Sequence, residues 1–213
     1  TLVVLDTRDG SILSEIPIAG RPVELYVPND DSRVYVGYWS GAVALVDAIA
    51  VVDTARAAVV HTIWEWARAL AVSPDGLSFY VASGTSSVIN AYDTTTYMIR
   101  ATGQINQSIA KGLRVSPDSS VLYMGGAHFT DTLNAFRADT MQPMFTVPTA
   151  SVFGQSIAIS FDGRYVYSVG GNGGMAVLDA VSGQLADKVS ACVGSDGVSP
   201  SPDGRHVYVM RPF

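Results

Sequence analysis

Few residues in this chain are of the types that do chemistry, and their spacing excludes most chemistries. The histidines are His61, His128 and His206, and the glutamates are Glu15, Glu24 and Glu65. A metal or haem site needs ligands clustered at defined spacing, and no histidine has a partner at such spacing. The single cysteine, Cys192, excludes an internal disulfide and a cysteine-based metal cage. There is no Gly-x-Ser-x-Gly elbow, phosphate loop or zinc-type histidine pair. A glycosidase needs two carboxylates with separated pKa values, and the three glutamates offer no recognisable pair. The sequence assigns no catalytic residue, no metal ligand and no cofactor.

Two groups of residues are better suited to binding than to reaction. Arg68, Lys111, Gln155 and Asp196 follow one another at intervals of 43, 44 and 41 residues, with Arg21 and Pro22 one interval earlier. If the interval is structural, these positions ring a common axis. Three cations facing one acid would then line a polar funnel for an anionic or hydroxyl-rich ligand. The plainer alternative is a solvated rim. The second group is aromatic: Tyr38-Trp39 and Trp64-Glu65-Trp66 read as loops. Exposed tryptophans are costly and recur in contact hot spots and sugar-stacking sites, although one or two could instead plug a channel. His128 lies in the loop Gly125-Gly126-Ala127-His128-Phe129-Thr130-Asp131, where a surface role is the simpler reading.

Composition narrows the partners. Of the 213 residues, 48% are apolar and 15% charged, enough for a buried core and too apolar for disorder. The formal net charge is −6, with Lys111 and Lys188 the only lysines, so no basic face is available for nucleic acid. No apolar run approaches membrane-spanning length, so membrane insertion is not expected. The chain starts at Thr1 without Met, in what reads as mid-strand, which fits either a removed leader or a piece of a longer protein. Asn106-Gln107-Ser108 is the only glycosylation-type triplet, a pattern common by chance.

The elements that position these residues come from an internal repeat. Val72-Ser73-Pro74-Asp75-Gly76 leads to Phe79-Tyr80-Val81, a strand, a tight turn and a second, alternating strand. The unit recurs at Pro28, Pro117, Phe161 and Pro202, each followed by a tyrosine: Tyr35 seven residues later, then Tyr123, Tyr167 and Tyr208 six later, as Tyr80 follows Pro74. Third strands are expected at Ala42–Val46, Val88–Tyr92, Thr132–Phe136, Met175–Leu178 and Leu2–Leu5, four of them ending at Asp47, Asp93, Asp179 and Asp6. Outer strands follow near Ser11–Ile16, Ala57–Ile63, Met98–Thr102, Gln142–Val147 and Gln184–Val189. Asp75, Asp118, Asp162 and Asp203 should bond back to their turns, and the repeated tyrosines should pack between blades with satisfied hydroxyls.

A period in the low forties with four short strands is the pattern of a β-propeller blade. The expected fold is all-β, with four-stranded antiparallel blades at residues 24–67, 68–110, 111–154, 155–197, and 198–213 joined to 1–23. The last blade would be shared by the two ends, closing a ring of five, and a slice of a larger propeller is the rival. Val-Ser-Pro-Asp-Gly with Tyr-Val-Ala, and Tyr92-Asp93-Thr94-Thr95-Thr96 after a hydrophobic strand, resembles the YVTN-type, WD40-like β-propeller repeat. That resemblance implies a secreted, cell-surface or periplasmic setting and kinship with quinoprotein and haem d1 propellers. The expected function is a non-enzymatic binding or scaffold propeller, offering a loop-rich face to a protein or glycan through Arg21, Tyr38, Trp39, Trp64, Trp66, Arg68, Lys111, Gln155 and Asp196. The alternatives are a cofactor-bearing enzyme with a ligand over the channel near His128, and a subunit of a larger extracellular assembly pairing through its edge strands.

Overall fold

The computed structural model describes residues 1–213 apart from 29, 42–46, 85, 106–109, 127–131, 149–153, 171–173, 191–194, 196 and 211–213, and only the backbone of 111, 154 and 155. Its strands form six antiparallel sheets. Four have four strands each: β3 (Arg21–Tyr26), β4 (Arg33–Trp39), β5 (Ala48–Asp53) and β6 (Ala58–Ile63); β7 (Ala67–Val72), β8 (Ser78–Ser83), β9 (Val88–Asp93) and β10 (Ile99–Gln104); β11 (Ala110–Val115), β12 (Val121–Gly126), β13 (Thr132–Arg137) and β14 (Pro143–Pro148); and β15 (Gly154–Ile159), β16 (Tyr165–Gly170), β17 (Gly174–Asp179) and β18 (Leu185–Val189). Two two-stranded sheets flank them: β1 (Leu2–Leu5) with β2 (Ile12–Ile16), and β19 (Gly197–Pro200) with β20 (Val207–Met210).

Four of the six sheets begin with the same Ser-Asp hairpin, and its turn chemistry shows why. Ser73 Oγ accepts from the Ser78 N–H at 2.9 Å and donates to Asp75 at 2.5 Å, while Asp75 accepts the Leu77 N–H at 3.0 Å. Ser116 with Asp118, Ser160 with Asp162 and Ser201 with Asp203 repeat this arrangement. The turn needs one left-handed residue. Gly76, Gly163 and Gly204 take it at φ near +70°, while Ser119 and Asp31 adopt the same region without being glycine. As expected, these aspartates serve their turns.

The first strands of the sheets converge: β7 packs on β11, β11 on β15 and β15 on β19, with β3 set more loosely against β7. The cores lie between sheets. Ala71, Tyr80 and Ala91 meet Leu113, Leu122 and Phe136, and Tyr123 and Ala135 meet Ile157, Val166 and Leu178. The two-stranded sheets cap this series. Leu2 and Ile16 pack on Val36, Tyr38 and Ala50, and Val198, Val207 and Val209 pack on Ala158, Val169 and Met175. No ladder joins β20 to β1 among the described residues, and Leu5 of β1 and Tyr208 and Met210 of β20 are exposed.

One expected strand is displaced. The third strand of the first complete sheet is Ala48–Asp53, not Ala42–Val46, which lies outside the described residues. Asp53 is therefore the strand-ending aspartate: it accepts the Arg56 N–H at 2.9 Å and pairs with Arg33 at 2.9 Å, as Asp93 accepts from Thr95 and Thr96. Asp47 instead closes the preceding loop, accepting both the N–H and the hydroxyl of Ser40.

Two of the repeated tyrosines join neighbouring sheets, whereas Tyr208 is exposed. Tyr80 donates to the Ala138 carbonyl at 3.0 Å and Tyr123 to the Ala180 carbonyl at 2.8 Å, each reaching into the next sheet. Burial pushes the Tyr123 phenol up to about 12, so it stays a donor at neutral pH. Tyr35 occupies the same register, but its buried hydroxyl has no partner among the described residues. Tyr123→Phe strands a buried carbonyl and should cost about 1–3 kcal/mol, whereas Tyr35→Phe should be neutral or slightly stabilising. Urea denaturation of both variants checks this; equal losses would refute it.

Candidate functional site

The aromatic group divides once it is placed. Tyr38 and Trp39 end strand β4 and do not form a loop. Tyr38 is buried among Ile16, Ala48 and Val52, so it belongs to the core and presents nothing to a ligand. Its ring and the Trp39 backbone crowd Gly20, where a Cβ would come within 2.4 Å of the Trp39 carbonyl. Trp39 is half-buried, with its indole nitrogen enclosed and without a partner among the described residues. The expectation that Tyr38 and Trp39 join the loop face thus fails for Tyr38, because the end of β4 turns that ring inward.

Trp64 and Trp66 are the opposite case. They lie between β6 and β7 with relative exposures of 71% and 41%. The residue between them fixes the loop. Glu65 turns back onto the third strand, accepting from Asn90 Nδ2 at 2.8 Å and from the Tyr92 hydroxyl. Asn90 is itself held, accepting from Thr102 at 3.0 Å, and the Trp66 carbonyl accepts the Gly84 N–H at 2.6 Å. Burial raises the Glu65 carboxyl above the usual range, against the lowering effect of Tyr92 and Asn90. The loop is therefore a fixed platform carrying two exposed indoles.

The cations at the start of the inner strands occupy a repeated distortion. In each of the four complete sheets the ladder between first and second strands shifts register at one residue, between Pro22 and Glu24, Ala67 and Ala69, Ala110 and Gly112, and Gly154 and Ser156. The bulged residues are Val23, Arg68, Lys111 and Gln155, so Val23 and not Pro22 is the first member of the series. Bulges re-aim a side chain out of the ladder. Arg68 is exposed, and so is Arg21, which faces Trp39 across the β3–β4 ladder. The side chains of Lys111 and Gln155, together with His128, Asp196, Asn106 and Cys192, lie outside the described residues. His61 stacks on Tyr97 with ring centroids 4.3 Å apart, and His206 lies beside Tyr208. Among the described residues no group of three or more His, Cys, Asp or Glu side chains could hold a metal ion.

A third constellation lies deeper along the inner strands. Glu24 and Tyr26 of β3 and Arg114 of β11 line one cavity of about 570 Å³ with Leu25, Val72 and Val115. The Tyr26 hydroxyl donates to Glu24 at 3.0 Å. Burial raises the Glu24 carboxyl, while Tyr26 and the positive charge of Arg114 oppose that rise. Spacing arguments for paired carboxylates pass over Glu24, because its partners are a phenol and a guanidinium.

Known structures decide what these sheets are. The chain is similar to Kuenenia stuttgartiensis hydrazine synthase, with 19% identity and a TM-score of 0.75 over 92% of this chain and 56% of that one. It is also similar to the Myceliophteria thermophila Cps50 (Swd1) β-propeller domain, with 12% identity and a TM-score of 0.74 over 92% of this chain and 64% of that one. The fold is a β-propeller. The four-stranded sheets are its blades, and the convergent first strands line its axis. The chain spans little more than half the length of these two structures. No family model matches the sequence. No curated protein matches it either.

Substituting Gln for Glu65 tests the platform. A carboxyl raised by folding favours the folded state below its unfolded pKa of about 4.3, and that contribution is lost as pH rises through the folded-state value. Glu65→Gln removes the desolvated charge while keeping an acceptor for Asn90. The variant should gain stability relative to the parent as pH rises from 4 to 7, as read by urea denaturation at each pH. A difference independent of pH would refute a buried, desolvated carboxylate.

Proposed function

We propose that this propeller is a non-enzymatic binding or scaffold module that engages a protein or glycan through the face carrying the β6–β7 loop. The observation that carries this reading is the pair of exposed indoles, Trp64 and Trp66, on a loop anchored through Glu65 to Asn90 and Tyr92. Large apolar rings on a rigid backbone give up little entropy when they are covered, which is why tryptophan dominates contact hot spots. Arg21 and Arg68, both exposed, would supply the polar rim. Resemblance of the turn and strand motifs to YVTN-type repeats supports an extracellular, cell-surface or periplasmic setting.

We also take β19–β20 and β1–β2 as the inner and outer halves of a fifth blade. Together they carry the four strands of one unit, and exposed apolar residues stand on both. Small-angle scattering of the purified chain distinguishes a closed disc, which this reading expects, from an open arc, which would sink it.

The binding reading is tested with Trp64→Ala/Trp66→Ala in a glycan-array screen and in crosslinking to intact cell-envelope proteins. Loss of two hot-spot residues should weaken the retained partner at least about 30-fold, with the urea midpoint unchanged. Undiminished binding by the double variant would move the interface elsewhere.

A further inference from the structure

The inner strands of the blades follow a rule that three residues break together. Taking the residue opposite the repeated tyrosine as a level, the blades place Tyr26, Ala71, Arg114, Ala158 and Ser199 there. Two residues earlier stand Glu24, Ala69, Gly112, Ser156 and Gly197. Apart from Glu24, Tyr26 and Arg114, every side chain at these two levels is Gly, Ala or Ser. The fold therefore asks for nothing large or charged at either level. All three exceptions face the same cavity, although they come from blades that are not neighbours.

Their chemistry is incomplete as it stands. Arg114 is exposed and donates to the Leu113 carbonyl at 2.8 Å, and among the described residues no carboxylate pairs with it. Glu24 is half-buried and receives the Tyr26 hydroxyl, and among the described residues no cation forms a salt bridge with it. A guanidinium and a carboxylate thus face one cavity without closing on each other. Leu25, Val72, Val115 and Leu113 supply an apolar wall between them, and the cavity's size of about 570 Å³ suits a small molecule. At Arg114 and Val115 it adjoins a second space of about 530 Å³, walled by Ile159, Phe161 and Val198.

We propose that this cavity binds a small zwitterion with an apolar body, of the class of an apolar α-amino acid, its carboxylate on Arg114 and its ammonium on Glu24. The planar guanidinium fork matches a carboxylate bidentately, and Tyr26 holds the Glu24 carboxylate in place. A ligand with one charge would leave one protein charge unanswered in a partly desolvated site, which is the basis of the selectivity. The site is separate from the tryptophan loop.

The test is calorimetric titration of the whole chain with L-leucine, with isocaproate, which lacks the ammonium, and with isoamylamine, which lacks the carboxylate. Leucine should bind, and each analogue should bind at least tenfold more weakly. Arg114→Gln and Glu24→Gln should each weaken leucine at least tenfold, and Tyr26→Phe by a smaller factor, with urea midpoints reported alongside. If Arg114→Gln does not fold, Arg114→Lys takes its place and should retain part of the affinity. No heat with leucine, equal binding of the analogues, or unchanged leucine affinity in the folded Arg114 and Glu24 variants overturns the proposal. Trp64→Ala/Trp66→Ala should bind leucine like the parent, so failure here and failure of the loop interface are told apart.

Discussion

Everything in this molecule depends on sheets packing face to face, because no sheet has a core of its own. A four-stranded blade has two apolar faces and can bury them only against the blades before and after it. The residues alternate accordingly: in β8, Phe79 faces one neighbour with Tyr35, and Tyr80 faces the other with Leu113. The tyrosine adds direction to a contact that apolar packing leaves unspecific. Its hydroxyl reaches a single carbonyl in the next blade, at Ala138 or Ala180, and so sets the stagger between sheets. Where the first blade meets the second, an aromatic contact takes over: Tyr35 meets Phe79 in a tilted pair with centroids 5.1 Å apart, and Phe79 stacks on Tyr92 of its own blade at 4.6 Å.

This division of labour frees the blade ends. The hairpin turns are closed by Ser and Asp within the turn itself, so the opposite ends of the strands carry no such obligation. It is at those free ends that the bulges fall, with Arg68 at one of them, and that the Trp64–Trp66 loop departs. Function placed there costs the scaffold little, which fits the general habit of rigid β-folds of carrying recognition in loops.

The repeat made the fold legible because turn chemistry is local: Pro-Asp-Gly and the tyrosine that follows are dictated within ten residues of chain. What stayed hidden was set at longer range. The run from Ala42 to Asp53 contains two apolar segments ending in Asp, and pattern alone cannot choose between them. The turn Asp53-Thr54-Ala55-Arg56 was the discriminating signal, since it matches Asp93-Thr94-Thr95-Thr96 in place and in hydrogen bonding. Tyr38 departs from its expected loop for a related reason. A strand extended by one pair of residues turned an apparent loop aromatic into core. The bulge that re-registers Val23 leaves no mark in composition, because any residue can occupy it. Trp64 and Trp66 were legible as candidates, but that Glu65 is their anchor depends on Asn90 and Tyr92, some twenty-five residues away.

The carboxylates separate scaffold from site. The aspartates at turns, among them Asp6, Asp53, Asp93, Asp118, Asp162, Asp179 and Asp203, lie below the usual carboxylate range because backbone N–H and serine, threonine or arginine groups donate to them. Their ionised form is part of the fold, and their contribution is lost only as pH falls through those lowered values. Glu24 and Glu65 are shifted the other way, because each is half withdrawn from water and, among the described residues, no salt bridge offsets the loss. A fold tuned only for stability would not keep a desolvated carboxylate where sister blades place Gly, Ala or Ser. Glu24 sits at just such a position, and Glu65 is spent on fixing two exposed indoles. At both glutamates a carboxylate is partly withdrawn from water beside groups that the repeat does not require, Tyr26 and Arg114 at one and two exposed indoles at the other.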